Sequence, residues 1–160
     1  MQVLRFLMLL ALVVWIGGIV FVFFVVAPAA FSGLLPTHDL AGRMVGHCLN
    51  ALHWMGIVSG VIYLLASLLY SRFTKGFARP FAARNVVIAL MIILTAISLF
   101  AITPKMDALK SEMGIIDNVP QSDSRRMEFN RLHGWSMGLE SAVLLLGLGT
   151  VFLTGKTLSS

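Results

Sequence analysis

Four long apolar runs leave this chain few ways to fold. Residues 4–27 contain a single charge, Arg5, close to their start. Residues 44–70 hold His47, Asn50 and His53 but no Asp, Glu, Lys or Arg, and residues 86–103 have no ionisable side chain. Residues 132–153 include His133 and Glu140. A helix rising about 1.5 Å per residue needs roughly 20 residues to cross about 30 Å of hydrocarbon, and each run reaches or approaches that length. Spanning strands would alternate with a period of two over about 9–11 residues, and none of the four runs does so. The pattern predicts an all-α, integral-membrane four-helix bundle with a left-handed twist, in one domain spanning residues 1–160.

Composition agrees. The chain is 58% hydrophobic and only 12% charged, which excludes an ordinary soluble domain, and the mean hydropathy is +0.91. A net charge of +5 would suggest nucleic acid in a soluble protein. Here the charges sit in short segments between apolar runs, where they set orientation or meet lipid headgroups, and nothing supports nucleic-acid binding. Cys48 is the only cysteine, so no intrachain disulfide is possible.

The ends of the runs carry further information. Arg5 followed by an apolar stretch and Ala27-Pro28-Ala29 resembles a secretory signal, but the stretch exceeds the roughly 7–15 residues of a signal core. A retained first helix is expected, with Pro28 ending it. Between the second and third runs, residues 71–84 hold Arg72, Lys75, Arg79 and Arg84 with no acidic residue. The first loop, 29–43, offers His38, Asp39 and Arg43, and the third, 104–131, has five basic residues against five acidic ones. Because basic residues gather on the cytoplasmic side, the second loop and both termini are expected inside, in a multi-pass protein of the plasma (inner) membrane. In the third loop Met106, Leu109, Met113 and Ile116 recur at helical spacing, predicting a short amphipathic helix lying on the outer surface or capping the bundle. Residues 117–126 read as a polar turn around Pro120.

Small residues suggest packing faces. His53, Gly56, Gly60 and Ser67 share a stripe of the second helix, and Gly134 and Gly138 form a small-xxx-small pair on the fourth, extended by Ser141 and Ala142. Such residues let helix backbones approach in lipid. The stripe turns His53 toward protein.

The polar residues within the runs are the functional candidates: His47, His53, His133 and Glu140. Glu140 is the one carboxylate deep inside any run, and ionisable groups at such depth are costly unless they pair or face a cavity. His133 and Glu140 are seven residues apart and share a face, while His53 lies at a depth similar to that of Glu140. Three readings stand side by side: a hydrogen-bonded polar plug with Glu140 protonated or paired to His53, a metal or haem site using His47, His53 or His133, and a proton-coupled or small-solute path. His47 and His53 lie roughly 9 Å apart along the axis and off one face, so a shared ion would have to be held between helices. The nine methionines mostly lie singly in apolar runs and read as filler rather than as soft copper ligands.

Several motifs resemble a known family. Trp15-x-Gly17-Gly18-x-x-Phe21 leading to Ala27-Pro28-x-x-Phe31 looks like the first-helix signature of the transmembrane-protein-205-like family, a domain of unknown function. Ile102-Thr103-Pro104-x-Met106 and Phe129-x-x-Leu132-His133-Gly134-x-Ser136 resemble its later motifs. The resemblance implies a four-helix membrane protein. More distantly it is similar to copper-resistance-D-like and haem-containing protoporphyrinogen-oxidase-like membrane proteins, which implies copper or haem as cofactors. Under the charge-based topology these motifs fall at the outer ends of their helices, so a site opening outward is expected. No nucleophile–base pair with an orienting group emerges, so the reading leans against an independent enzyme. A binding or transport-associated membrane protein of unknown substrate is the first expectation, and a haem- or copper-binding redox protein the alternative. The bilayer is the expected partner, with a second copy of the chain or another membrane protein left open.

Overall fold

A computed structural model describes residues 1–159, with side chains through Lys156. Four helices are long and apolar enough to cross a membrane: α1 (Gln2–Leu34), α2 (His38–Lys75), α3 (Ala83–Met113) and α4 (Ser124–Lys156). Each packs against its chain neighbours, and α4 closes the ring against α1, so α2 and α4 face each other across the bundle. Both termini and the basic α2–α3 connection lie at one end of the bundle, which we call the basic end. The α1–α2 and α3–α4 connections lie at the other.

All four helices outrun their apolar cores. Hydrophobicity ends where the hydrocarbon would, whereas the backbone continues until a residue stops it. The first helix ends just after Gly33, at φ 90°, and α2 is capped by Thr37, whose Oγ1 accepts the Leu40 N–H at 3.2 Å. α2 stops at Gly76, whose φ of 77° is easy for glycine and whose N–H closes on the Arg72 carbonyl. Gly114 at φ 68° ends α3 in the same way.

Pro28 does not end the first helix, contrary to expectation. The chain passes through it by widening: residues Val22–Val26 and Ala30–Leu34 form π-helical turns, and the Ala27 N–H reaches back five residues to Val22. Pro104 is accommodated likewise. Ser98–Ile102 is a π-helical turn, and the Thr103 N–H bonds to Ser98. Proline cannot donate and crowds the carbonyl four residues back, and a wider turn relieves both faults. The helix Thr103–Met113 therefore continues α3 and packs on α4, so of the two expected placements it takes the bundle cap. Its Met106, Leu109 and Met113, together with Ile116, are half-buried while Lys105, Asp107 and Glu112 are exposed.

The α3–α4 connection is pinned by charge. Arg126 donates to the carbonyls of Ile116 and Val119. Asp123 accepts from the Arg125 guanidinium at 2.7 and 3.1 Å and from its amide at 2.8 Å, and these bonds hold its carboxyl down at about 2.

The core is built on Trp15, which lies over the glycine notch of α2. A Cβ at Gly56 would run into its indole, and one at Gly60 would come within 2.7 Å of both the Trp15 ring and Ile92. Gly18 against Leu52 and Gly147 against Ile16 and Met91 make similar close approaches. Gly134 and Gly138 do not: nothing lies within 4 Å of a Cβ at either, so the slim face of α4 points away from the bundle. Spacing alone identifies such a face without saying what meets it. Outward positions are apolar, among them Phe24, Leu65, Phe100, Leu145 and Phe152, each more than half exposed. A soluble protein could not tolerate that surface, and a bilayer requires it.

Candidate functional site: a polar level inside the bundle

The buried polar side chains gather mainly at one level and toward the basic end, with Ser59 and Thr150 between. His53 of α2 and Glu140 of α4 are each 3% exposed, and His53 Nε2 is hydrogen-bonded to Glu140 Oε1. The bond crosses the bundle between two helices that are not neighbours in the ring. His53 points inward because it shares the stripe of Gly56 and Gly60 that admits Trp15. Its other ring nitrogen, Nδ1, is buried and has no hydrogen-bond partner among the described residues.

Two hydroxyls of α3 join this level. Thr95 and Ser98 are 1% and 0% exposed, and both hydroxyl oxygens are also without partners. Their depth follows from the contacts between helices. Trp54 beside His53 meets Phe100 edge-on at 5.8 Å, and Gly60 meets Ile92, so Ser98 stands within about a turn of His53. On the other side Met91 reaches Gly147 and Thr150, which puts Ser98 level with Glu140 and Thr95 a turn deeper. Ser98 also opens the π-helical turn, and its carbonyl accepts the Thr103 hydroxyl at 3.0 Å. Most buried polar atoms in proteins are satisfied, so three orphans on two adjacent helices at neighbouring depths mark a place with hydrogen-bonding capacity to spare.

The remaining candidates lie elsewhere. His47 is exposed, and so is His133, whose ring stacks on Phe129 with centroids 6.3 Å apart. His133 and Glu140 share a helical face, but His133 sits two turns nearer the helix start, where that face is no longer enclosed. Among the described residues no three His, Cys, Asp or Glu side chains gather as a metal would require. A copper centre of the kind the motifs imply needs several inward donors at one level. His53 is the one buried histidine, so this donor set does not fit copper; for a haem, which one axial donor can hold, its Nδ1 is the one buried histidine nitrogen left.

Thr95 and Ser98 went unnoticed in sequence because neither titrates. The available signal was two hydroxyls three residues apart in the one run that lacks ionisable groups. A second diagonal bond lies toward the basic end, where the Tyr63 and Thr154 hydroxyls meet at 2.5 Å.

What fold and site define is a polytopic α-helical membrane protein with a hydrogen-bonding level enclosed in its bundle. The chain belongs to the family described as Domain of unknown function (DUF4149), whose model matches residues 10–114. That match takes in most of α1 and all of α2 and α3, with His53, Thr95 and Ser98, and stops before Glu140. No curated protein and no solved structure matches the chain.

Proposed function

We propose that this protein is a membrane binding or transport-associated protein in which the His53–Glu140 pair is a proton-bearing gate on a site for a small polar solute. The buried bond between α2 and α4 carries the reading. An imidazole and a carboxyl group in contact exchange a proton with little movement, and gaining or losing one alters the charge of an enclosed site. His53 Nδ1, Thr95 and Ser98 supply donors and acceptors for a neutral or polar guest. The resemblance to the transmembrane-protein-205-like family is in keeping with this architecture but names no substrate. A copper redox site draws no support from His47 and His133, which are both exposed. We further infer that both termini and the basic loop face the cytoplasm, as the charge asymmetry requires. Glu140 then lies about 12 Å below the outer end of the fourth apolar run, in the outer half of the bilayer.

The test is proton flux into liposomes containing the purified protein and a trapped pH dye, driven by a potassium diffusion potential. Wild type is expected to acidify the lumen faster than empty liposomes, and Glu140→Gln and His53→Gln to return the rate to that of lipid alone. Liposomes as tight with wild type as without it would sink the proposal.

A further inference from the structure

At the basic end the molecule holds a second polar site of a different kind. Arg5, Arg72, Lys75, Arg79, Arg84 and Lys156 all lie in the segments that meet there, and none of the seven Asp and Glu residues does: six belong to the connections and helix starts at the opposite end, and the seventh is Glu140. A cleft of about 340 Å³ opens among them, lined by Tyr70, Lys75, Arg79, Ala83, Arg84 and Lys156. Pockets for small molecules run from roughly 300 Å³ upward, so the space suits a compact group.

Arg84 sets the chemistry. It is only 6% exposed, unlike the other cations that line the cleft, and its Nη1 is buried without a hydrogen-bond partner. Its orientation is fixed from behind. Nε donates to Ser67 Oγ at 3.0 Å, Ser67 donates to Asn85 Oδ1 at 2.7 Å, and Asn85 Nδ2 donates to the Arg79 carbonyl at 2.9 Å. A buried guanidinium is costly unless an anion faces it, and among the described residues no carboxylate is within reach. The start of α3 adds to the demand. Its first turn begins at Ala83 with Ala82 as the cap residue, and no side chain caps it, so amide N–H groups with their positive end of the helix dipole border the same cleft. Above the cleft, Arg5 donates to the Tyr70 hydroxyl at 2.9 Å and lies over the Tyr70 ring, holding that wall in place.

We propose that this cleft binds a phosphate group, with Arg84 as its anchoring residue and Lys75 and Arg79 as the outer cations. Arginine presents a planar fork that matches phosphate oxygens, and lysines add point charge. Two sources offer that chemistry: the headgroup of an anionic phospholipid in the adjoining leaflet and a free phosphate compound in the aqueous phase. The cleft lies where the apolar surface of the bundle gives way to charge, so both can reach it.

The experiment reads binding by native mass spectrometry, together with thermal unfolding, of the full-length protein in neutral detergent. Three probes are compared: phosphatidylglycerol, phosphatidylcholine and inorganic phosphate. Phosphatidylglycerol is expected to bind and raise the unfolding temperature, and phosphatidylcholine to do neither. A response to inorganic phosphate as well assigns the site to any phosphate group, and a response to phosphatidylglycerol alone assigns it to lipid. Arg84→Gln, which retains a donor for Ser67, is expected to weaken binding by roughly tenfold or more, the loss of one charge-assisted contact. Should that variant fold poorly, the exposed pair Lys75→Gln and Arg79→Gln is expected to weaken binding several-fold in a normally folded protein. Absence of binding by wild type overturns the proposal. So does undiminished binding by a folded Arg84→Gln, which would leave only diffuse attraction to surface charge, and so does undiminished binding by the exposed pair.

Discussion

Removing Glu140 from its bond with His53 tests whether that contact holds the bundle together. In Glu140→Leu the helix gains an apolar residue of similar length, but both nitrogens of a histidine only 3% exposed are then without partners. An ordinary buried group left unsatisfied costs about 1–3 kcal/mol. In lipid the figure is smaller, since interhelical polar contacts average about 0.6 kcal/mol and reach about 1.7, the separated helices finding other partners. A pair this enclosed, joining two helices that otherwise scarcely touch, belongs near the top of that range. We expect Glu140→Leu to lose about 1.5 kcal/mol, Glu140→Gln to lose less than about 0.5 because it keeps an acceptor, and the double variant His53→Leu with Glu140→Leu to recover most of the loss. Equilibrium unfolding in mixed micelles, with all variants and wild type arranged as a thermodynamic cycle, gives the coupling directly. A coupling within error of zero, or a double variant as unstable as the sum of the singles, would refute the reasoning and leave the contact incidental.

Three further outcomes follow from the fold. In a Cys48→Ser background, Lys75→Cys should be shielded from an impermeant thiol reagent in intact cells and Asp117→Cys labelled; the reverse pattern inverts the orientation. Gly56→Leu should destabilise by roughly 1–3 kcal/mol through collision with Trp15, whereas Gly134→Ala and Gly138→Ala should be neutral or up to about 1 kcal/mol stabilising, as thermal unfolding will show. Asp123 should titrate at about 2 by NMR, well below an ordinary carboxyl near 3.9. Because its folded pKa is depressed, its support of the α4 start is present above about pH 4 and lost as pH falls through about 2, seen as faster amide exchange in the first turn of α4 with little change in global stability.

Much of the bundle could be read from the chain because lipid imposes a single rule on all four runs: apolar side chains outside, backbone bonds satisfied within the helix. The inward turn of His53 was likewise legible, since Gly56 and Gly60 follow it at the spacing of one face. Helix ends were less so. Pro28 and Pro104 each look like a stop, and only the widened turns beside them let the chain continue. The α4 glycines misled for a related reason, because a slim stripe has the same spacing whether it meets a neighbour or lipid. Within the polar level, titratable residues announced themselves and hydroxyls did not. Thr95 and Ser98 gain significance only from depth, which depends on how α3 slides against α2 and α4. Arg84 looked like one of four loop cations until the fold put it behind Ser67 and Asn85.

The widened turn at Ser98–Ile102 amounts to one extra residue inserted into an otherwise regular helix. Everything beyond it is rotated by about 100° relative to an uninterrupted α-helix. Deleting a single residue between positions 98 and 102 would remove the extra residue, set Pro104 against the carbonyl four residues back, and leave the membrane-spanning length almost unchanged. It would also swing Met106, Leu109 and Met113 off the α4 surface against which they lie half-buried, and carry Lys105 and Asp107 toward it. The insertion thus works as a phase shifter: it lets one continuous helix satisfy the bundle below and the amphipathic cap above, two partners whose faces do not line up.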